Sequence, residues 1–457
     1  MTQQSRPPLY GSGARTAELR DAFTSGEFTV AVYGLGKMGL PLATVFASVA
    51  KDVVGVDIDE AVVNAVSAGE CPVTGEPGLP TELAREVEVG HLHTTTKGTQ
   101  AAEAARLHVV IVPTLVEDGE PDLSALDAVT ETIAAGIEPG DMVVVESTVP
   151  PGTCRDRVLL ELNRETGYSL GDFGLAFCPE RTMSGRALKD IRGSHPKVIG
   201  GADAESRWVA ETIYSEITSA DLVPVADCTT AECVKVFEGL YRDVNIALAN
   251  ELATLVDELG VDVTAAIEAA NTQPFCDIHD PGPGVGGHCI PYYPYFVTSH
   301  VEKPTPLLET ARGVNDAMPQ FTVERVADCL KATGCDLNDS AVVVLGLTYR
   351  PGVDEIRASP GIEVAARLTR RAHEVYACDP VFSDSPPEGV RRIGLDKMSE
   401  LDVDAVVLMT PHEEFDDIEW DALDAVIIDG HRTLDPDRFN HYYAIGRGHT
   451  EVASSDF

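Results

Sequence analysis

The sequence has no run of 18 apolar residues, which is the length a membrane-spanning helix requires. Residues 1–26 are polar, are interrupted by glycine and proline, and do not have the basic-then-apolar pattern of a secretion signal. The ten cysteines are scattered through 457 residues without a Cys-x-x-Cys pair, which excludes a disulfide-stapled miniprotein and disfavours structural zinc. These absences predict a cytoplasmic protein without a metal site.

Basic residues are also scarce. There are 34 of them against 74 acidic residues, only nine of the 34 are lysines, and the net charge is −40. The acidic excess is spread along the chain, so nucleic acid and anionic membranes should be repelled. An ordinary acidic cytosolic enzyme is one interpretation. At this magnitude we favour a surface adapted to concentrated salt, because the Debye length falls to about 3 Å at 1 M salt.

A dinucleotide-binding pattern opens the first half of the chain. Phe28–Tyr33 and Val53–Val56 read as buried strands on either side of a helix at Leu40–Ala50. The turn between the first strand and the helix has the sequence Gly34-Leu35-Gly36-Lys37-Met38-Gly39. Asp57 ends the second strand, where it would accept hydrogen bonds from ribose hydroxyls and repel a 2′-phosphate. The pattern therefore predicts NAD as the cofactor.

Further predicted strands end at polar residues. Leu107–Val112, Met142–Val145 and Leu175–Phe177 read as strands. The residues that follow them are Thr114, Thr148, Glu180 and Arg181. Because the carboxyl ends of parallel strands line the ligand crevice, these side chains should converge near the cofactor. Helix capping or a plain loop role remains an alternative for each of them.

The segment Pro281–Pro291 is the most unusual in the chain. Its four glycines lead directly into a cysteine: Gly282, Gly284, Gly286, Gly287 and then Cys289. Glycine lets the backbone approach a ligand closely, and a thiol at the end of such a loop is placed as a nucleophile would be. The alternative is a Pro/Gly turn that ends in a buried cysteine.

One long helix is predicted from Thr229, as its cap, to Gly260, as its stop. Its apolar seam suits a subunit or domain interface and consists of Val234, Phe237, Tyr241, Val244, Leu248, Leu252, Leu255 and Leu259. An adjacent face carries Lys235, Glu238, Gly239, Arg242 and Asn245. That face is either a ligand surface or an ordinary salt-bridged surface.

The last third predicts a second open sheet without a dinucleotide fingerprint. Its strands are Ala341–Leu347, Glu374–Cys378, Ala405–Met409 and Ala425–Ile428, with a helix that Ser359 caps and Pro360 opens. Arg350, Arg357 and Arg432 sit at or just after strand ends, where a nucleotide diphosphate would bind.

The predicted fold class is α/β, with two Rossmann-like doubly wound domains joined by a central helical domain. The expected parts are an N-terminal extension at 1–26, an NAD-binding domain at 27–225, a central domain carrying the cysteine loop at 226–325, and a nucleotide-sugar domain at 326–457.

Together these motifs resemble the nucleoside-diphosphate-sugar 6-dehydrogenase family, from about Phe28 to Arg432. The matching segments are Gly34–Ala43, Val112–Thr114, Glu146–Pro150, Cys178–Arg181, the Lys235 helix, Gly282–Pro291 and Gly346–Pro360. His288 and the glycine run beside it are similar to the N-acetylhexosamine branch, whose substrate we take to be UDP-N-acetylmannosamine.

The resemblance implies roles for individual residues. Cys289 would be the nucleophile, Lys235 would steady the developing oxyanion, and Glu180 with Thr148 would hold or activate water. Arg357 would contact the cofactor. The substrate contacts would come from Arg181, Thr182, Lys235, Arg242, Asn245, Gly284, Gly286, Arg350 and Arg432. The apolar seam of the long helix predicts a homodimer or higher homo-oligomer through helix 229–260.

Three departures from the family pattern leave alternatives open. Tyr293 stands where the family usually has aspartate, Gly239 stands where asparagine is common, and Gln273–Phe275 lacks a partner-subunit arginine. The substrate could therefore be UDP-N-acetylglucosamine or UDP-glucose. A two-electron hydroxyacid dehydrogenase that does not need Cys289 is another candidate. A non-catalytic nucleotide-sugar-binding module is a third.

Overall fold

The computed structural model describes residues 7–451, so residues 1–6 of the expected extension and 452–457 of the last expected domain lie outside it. The chain divides into two compact units. One reaches to Phe237 and includes Tyr295–His300, and the other comprises Glu238–Pro294 and the chain from Val301 onward. Our domain boundaries at 26/27, 225/226 and 325/326 stay predictions. No helix among the described residues is long and apolar enough to span a membrane.

The first unit alternates strands and helices. Its strands are β1 (Val30–Tyr33), β2 (Val53–Val56), β3 (Leu92–Thr95), β4 (Leu107–Val110), β5 (Leu115–Glu117), β6 (Glu120–Asp122), β7 (Met142–Val145), β8 (Gly174–Phe177), β9 (Lys197–Gly201) and β10 (Leu222–Pro224). Its helices are α1 (Thr16–Ser25), α2 (Gly39–Ala50), α3 (Glu60–Ser67), α4 (Leu79–Glu88), α5 (Gly98–Ala104), α6 (Ser124–Ala134), α7 (Leu159–Thr166), α8 (Ala187–Lys189) and α9 (Ala204–Ile217), with π-helical turns at Cys154–Val158 and Asp190–Ser194.

The main sheet of the first unit has the order β10-β9-β8-β7-β4-β1-β2-β3. All of its pairs are parallel except β8 with β9. Every residue of β1, β4, β7 and β8 is buried, as expected for the valine-rich strands of a sheet covered on both faces. The strand order reverses at β1, which pairs with both β2 and β4, and this places the ligand crevice at the end of β1.

Helix α1 lies within the segment that we expected to be an extension. Its Leu19 and Phe23 are buried, and the ring of Phe23 meets that of Phe46 on α2 edge to face, with 6.4 Å between centroids. This part of the chain therefore contributes to the apolar core of the first unit.

The second unit repeats the pattern. Its strands are β11 (Ala341–Leu345), β12 (Glu374–Cys378), β13 (Val390–Arg392), β14 (Ala405–Leu408), β15 (Val426–Asp429), β16 (His441–Ala444) and β17 (Gly448–Glu451). The remaining helices of the chain, two of which cross the division between units, are α10 (Cys228–Thr254), α11 (Val256–Leu259), α12 (Val263–Ala270), α13 (Tyr293–Thr298), α14 (Pro306–Ala332) and α15 (Pro360–Leu368). Short 3₁₀ turns occur at Leu337–Asp339, Leu395–Glu400, Glu413–Asp417, Trp420–Ala422 and Pro436–Arg438.

The second sheet has the order β13-β12-β11-β14-β15-β16-β17 and is parallel except for the last pair. Its first six strands follow the same doubly wound order as the first unit, so the predicted pair of Rossmann-like sheets is confirmed. Ser359 caps α15 as predicted, because its side chain accepts a hydrogen bond from the Gly361 N–H.

The long helix differs from its prediction at both ends. Asp227, not Thr229, caps α10, since its carboxylate accepts the Thr230 N–H at 2.7 Å, and a carboxylate also favours the positive end of the helix dipole. At the other end α10 stops at Thr254 and Leu255 interrupts the helical run before α11. The predicted stop at Gly260 is confirmed, since its φ of 64° is the left-handed conformation that glycine favours.

Candidate active site

The glycine-rich turn after β1 has a structural reason for two of its three glycines. A Cβ on Gly34, whose φ is 96°, would overlap the Ile111 carbonyl oxygen, and one on Gly39 would overlap the carbonyl oxygen of Gly34. Around a Cβ on Gly36, by contrast, no described atom other than those of its chain neighbours lies within 4 Å. The fold therefore requires the first and third glycines, while the middle one leaves room for a pyrophosphate to approach the backbone.

Asp57 at the end of β2 is turned toward this loop. One carboxylate oxygen accepts the Leu35 N–H at 2.7 Å, and the other accepts the Asp59 N–H at 3.0 Å. A carboxylate offers about four lone-pair positions, so this half-exposed group keeps acceptors for a ribose diol. The loop and the acid together fit NAD.

The loops after β4 and β7 are joined to each other. The Thr114 hydroxyl donates to the Thr148 carbonyl at 2.5 Å. The Ser147 hydroxyl donates to the Val112 carbonyl and accepts the Val112 N–H, both at 2.8 Å. Thr114 and Thr148 therefore lie together, as strand order predicts.

A lysine and a carboxylate meet at the end of β8. The buried Lys235 Nζ donates to the Glu180 carbonyl oxygen and lies 3.5 Å from Glu180 Oε2. The N–H and hydroxyl of Thr182 donate to Glu180 Oε1, and the same hydroxyl lies 2.9 Å from Met38 Sδ in the glycine loop. The structure thus brings together four residues that the sequence placed at the site, while Arg181 donates to the Pro196 carbonyl at 2.8 Å.

Behind this cluster lies a buried support that sequence reasoning missed. Lys197 Nζ donates to Glu146 Oε2 at 2.7 Å and to the Pro179 carbonyl at 3.2 Å, and the Tyr214 hydroxyl donates to Glu146. Burial, together with the charge of Glu146, raises the pKa of Tyr214. The support fixes the turn before Glu180. One signal was visible in the sequence, because Lys197 is among only nine lysines.

In the second unit, Cys289 is exposed. The loop before it is anchored by the Gly287 N–H, which donates to the Arg357 carbonyl at 2.9 Å, and by an ion pair between His288 and Glu355. The alternative that this turn ends in a buried cysteine is therefore wrong. Of the ten cysteines, only Cys335 is likewise exposed.

Packing accounts for part of the glycine run. A Cβ on Gly286 would lie 2.7 Å from Cβ of Tyr349, and one on Gly284 would lie 3.0 Å from Cγ of Pro360. Gly284 and Gly287 have φ of 141° and 97°, which disfavour other residues. The glycines let this loop pack closely against Tyr349 and Pro360. Substrate contacts by Gly284 and Gly286 stay predictions.

Two residues predicted to contact substrate instead form hydrogen bonds with the start of the glycine-rich loop and the segment just before it. Asn245 on α10 accepts the His279 N–H at 2.8 Å and donates to the Asp277 carbonyl at 2.6 Å. Arg432 donates to the Pro281 carbonyl at 3.0 Å. Arg242 is exposed on α10, and Arg350 and Arg357 are half-buried beyond β11. Their roles toward a ligand stay predictions.

Sequence reasoning missed a buried network beneath the loop. Asn250 on α10 accepts the Gly282 N–H at 2.9 Å and donates to Asn315 on α14 at 2.8 Å. Asn315 donates to Asp243 at 2.8 Å, and Arg312 pairs with Asp243. Asp243 and Asn250 are seven residues apart, which places them on one helix face, and this spacing was the available signal.

The second unit repeats the glycine geometry of the first, but the aspartate after its second strand is buried, whereas Asp57 is half-exposed. A Cβ on Gly361 would overlap the Gly346 carbonyl oxygen, as Gly39 does with Gly34. Asp379 directly follows β12 as Asp57 directly follows β2, and it accepts the Leu347 N–H at 2.7 Å. Unlike Asp57, it is buried and also bonded to Thr348 and His412.

The fingerprint, its acid and the lysine–carboxylate cluster define the protein as an NAD-dependent oxidoreductase. Three family descriptions match the chain in order: the NAD binding domain over residues 28–218, the central domain over 229–317, and the UDP binding domain over 343–436. The chain belongs to the UDP-glucose/GDP-mannose dehydrogenase family, and its substrate is a UDP-sugar.

Several relatives match most of the chain. UDP-N-acetyl-D-mannosamine dehydrogenase of Pyrococcus horikoshii is 35% identical over 92% of this chain and 99% of its own. The structure of that enzyme superposes with a TM-score of 0.84. NDP-N-acetyl-D-galactosaminuronic acid dehydrogenase of Ralstonia nicotianae is 34% identical over 88% of this chain and 95% of its own.

Proposed function

We propose that the protein oxidises the C6 hydroxyl of a UDP-N-acetylhexosamine, with UDP-N-acetyl-D-mannosamine as the first candidate, to the uronic acid. The observation that carries the proposal is the exposed thiol of Cys289, which ends a loop anchored by Gly287 and His288. The names of the P. horikoshii enzyme and of similar relatives support the choice of sugar.

The chemistry requires a thiol because a carbonyl intermediate must be oxidised a second time. When bound, NAD accepts a hydride in each of the two oxidations. Between them Cys289 Sγ adds to the C6 aldehyde to give a thiohemiacetal, and after the second oxidation the resulting thioester is hydrolysed, which regenerates the thiol. One alcohol, two NAD⁺ and one water thus give one carboxylate, two NADH and three protons.

The other residues of the site act on charge and water. The Lys235 ammonium group stabilises negative charge that develops on the C6 oxygen. Glu180 and Thr148 hold the water that attacks the thioester. Asp57 orients the cofactor ribose through the acceptors that the amides of Leu35 and Asp59 leave open.

A Cys289→Ala variant tests the mechanism. With NAD and a UDP-sugar in high salt, the wild-type protein should yield two NADH per uronate and the variant should yield no uronate. Cys335→Ala, which removes the other exposed thiol, is the matched control and should keep full activity.

Three results would contradict the proposal. Undiminished uronate production by Cys289→Ala would remove the thioester step. One NADH per substrate would indicate a two-electron hydroxyacid dehydrogenase. Tight UDP-sugar binding without any NADH at molar salt would indicate a non-catalytic module.

The choice of sugar is tested by comparing kcat/KM for a panel. We expect UDP-N-acetyl-D-mannosamine to exceed UDP-N-acetylglucosamine, UDP-N-acetylgalactosamine and UDP-glucose. A higher kcat/KM for any of these would replace the named substrate and leave the thiol mechanism intact.

We further propose that two copies of the chain pair through the apolar stripe of α10 and α11. The exposed members of this stripe are Phe237, Tyr241, Leu248, Leu255 and Leu259. In a two-fold interface the same surface of both copies meets, and a stripe along one helix can pack against the same stripe of a second copy. Phe275, which is 93% exposed, adds apolar surface to this unit.

A further inference from the structure

Gly239 and Tyr293, two of the three positions at which the chain departs from the family pattern, lie against each other. A Cβ on Gly239 would overlap Cδ2 of the Tyr293 ring and lie 2.7 Å from its Cγ. Cγ stays in place when the ring turns about the Cβ–Cγ bond, so that rotation cannot clear the space. With its present orientation at 293, tyrosine is compatible only with glycine at 239.

Backbone conformation does not explain the glycine. Gly239 lies inside α10 and its φ is not positive, so alanine would suit its backbone conformation. Glycine inside a helix is less favourable than alanine, and this position therefore carries a cost that only the neighbouring ring accounts for. Gly313, inside α14, has a similar helical setting, but apart from its chain neighbours and the nearby backbone of α14 no described atom lies within 4 Å of its Cβ position.

Tyr293 is linked directly to the thiol-bearing residue. Its ring is buried, and its N–H donates to the Cys289 carbonyl at 2.9 Å, next to the Tyr292 N–H at 3.0 Å. These two bonds close the turn that begins at Cys289. On the other side of Cys289, Gly287 and His288 fix the loop to the segment before α15.

Cys289 is thus held from both sides, and the anchor that follows it is the ring of Tyr293, which packs against α10 at Gly239. Any side chain at 239 would push the ring away from the helix, and the turn would move with it. Replacing the ring with a smaller group would remove the contact that holds the turn. Either change alone should displace the sulfur, and the matched change of both should restore a contact.

We propose that Gly239 and Tyr293 are a matched pair of positioning residues that sets the location of Cys289. This rests on the proposed role of Cys289 as the nucleophile. In the family pattern the same two positions are commonly asparagine and aspartate, whose side chains can hydrogen-bond to each other, whereas here an aromatic ring lies against a helix backbone without a side chain.

The test is a double-mutant cycle of Gly239→Asn, Tyr293→Asp and the double variant, with Gly239→Ala as a minimal probe. Two readouts are taken on the full-length protein: the rate at which iodoacetamide alkylates Cys289, and kcat against KM in uronate production. Circular dichroism and the melting temperature identify a variant that fails to fold.

Each single substitution should lower kcat by about tenfold or more, since small displacements of a reacting group are costly, and should change the alkylation rate. The double variant should recover much of both values. Tyr293→Phe, which keeps the ring, should resemble the wild type more closely than Tyr293→Asp does. Gly313→Ala is the helix control and should change neither readout.

Independent, additive effects of the two substitutions would overturn the pairing. So would folded single variants with unchanged alkylation rates. A chain in which Cys289→Ala still makes uronate would refute the proposed function, whereas the alkylation cycle would still report whether the pair positions the thiol, so the two failures are distinguishable.

Discussion

Asp379 keeps its charge in a buried position because its surroundings supply many donors. Burial alone would raise its pKa, but hydrogen bonds from His412 and from the N–H groups of Thr348 and Phe382 outweigh it and hold the pKa well below its usual range. A carboxyl group whose pKa is lowered on folding contributes stability above its unfolded pKa, and the contribution is lost as the pH falls through the folded value.

We therefore predict that Asp379→Asn lowers the free energy of unfolding by about 3 kcal/mol at pH 7, because the amide leaves donors unpaired and His412 without its partner. The difference from wild type should be constant above pH ~5 and shrink below pH ~4, near the unfolded pKa of aspartate. Urea unfolding at several pH values measures it. The exposed Asp424 supplies the control variant Asp424→Asn, which should have little effect. A small difference that does not depend on pH would contradict the prediction.

The role of a residue could be predicted where a short sequence motif contains it. It could not be predicted where its partners come from distant segments of the chain. Asp57 follows the glycine fingerprint at the expected spacing, and the structure turns it toward that loop. Glu146 and Lys197 meet only because β7 and β9 flank β8 in the sheet, which no local pattern indicates. Likewise, Gly239 and Tyr293 were visible as separate departures, and only the folded chain shows that they are one feature.

Among the elements, strands rich in valine were predicted best. Val53–Val56 and Met142–Val145 have the expected bounds, because a run of β-branched residues buried on both faces has few other solutions. The strand Leu92–Thr95 was missed, since only its leucine is buried and the edge position relaxes the pattern. The long helix α14 was also missed, and Pro319 inside it is a residue that normally argues against a helix.

The exposed apolar stripe on α10 leads to a prediction about the oligomeric state. Leu248→Glu should convert a dimer to a monomer, because a carboxylate in the middle of an apolar two-fold interface would be buried twice. Light scattering after size-exclusion chromatography measures the mass. Glu251→Ala changes an exposed residue one turn further along α10 and should leave the mass unchanged. A wild-type protein that is already monomeric, or a dimeric Leu248→Glu variant, would refute this interface.

For the whole molecule, the net charge of −40 decides how salt acts. Exposed ion pairs such as Arg157 with Asp127 are weakened by salt, but such pairs contribute little, whereas the unbalanced carboxylates repel one another over the entire surface. Shortening the Debye length from about 10 Å at 0.1 M to about 3 Å at 1 M should therefore stabilise the fold.

We predict that the melting temperature and uronate production both rise between 0.1 M and 1 M NaCl. Equal concentrations of KCl should act similarly, since the cause is screening, and sucrose as an uncharged solute is the control for solvent exclusion. A melting temperature that falls with salt would mean that the ion pairs outweigh the repulsion.

The strand order shared by the two sheets would, on its own, let either half take up the same nucleotide. What separates them is how many acceptor positions each terminal carboxylate has left. A diol arriving at Asp379 would have to displace protein donors on both oxygens, including an imidazole and the amides of Val381 and Phe382, whereas at Asp57 it would meet only two amides. One histidine, His412, thus helps to make two units of the same strand order select different ligands.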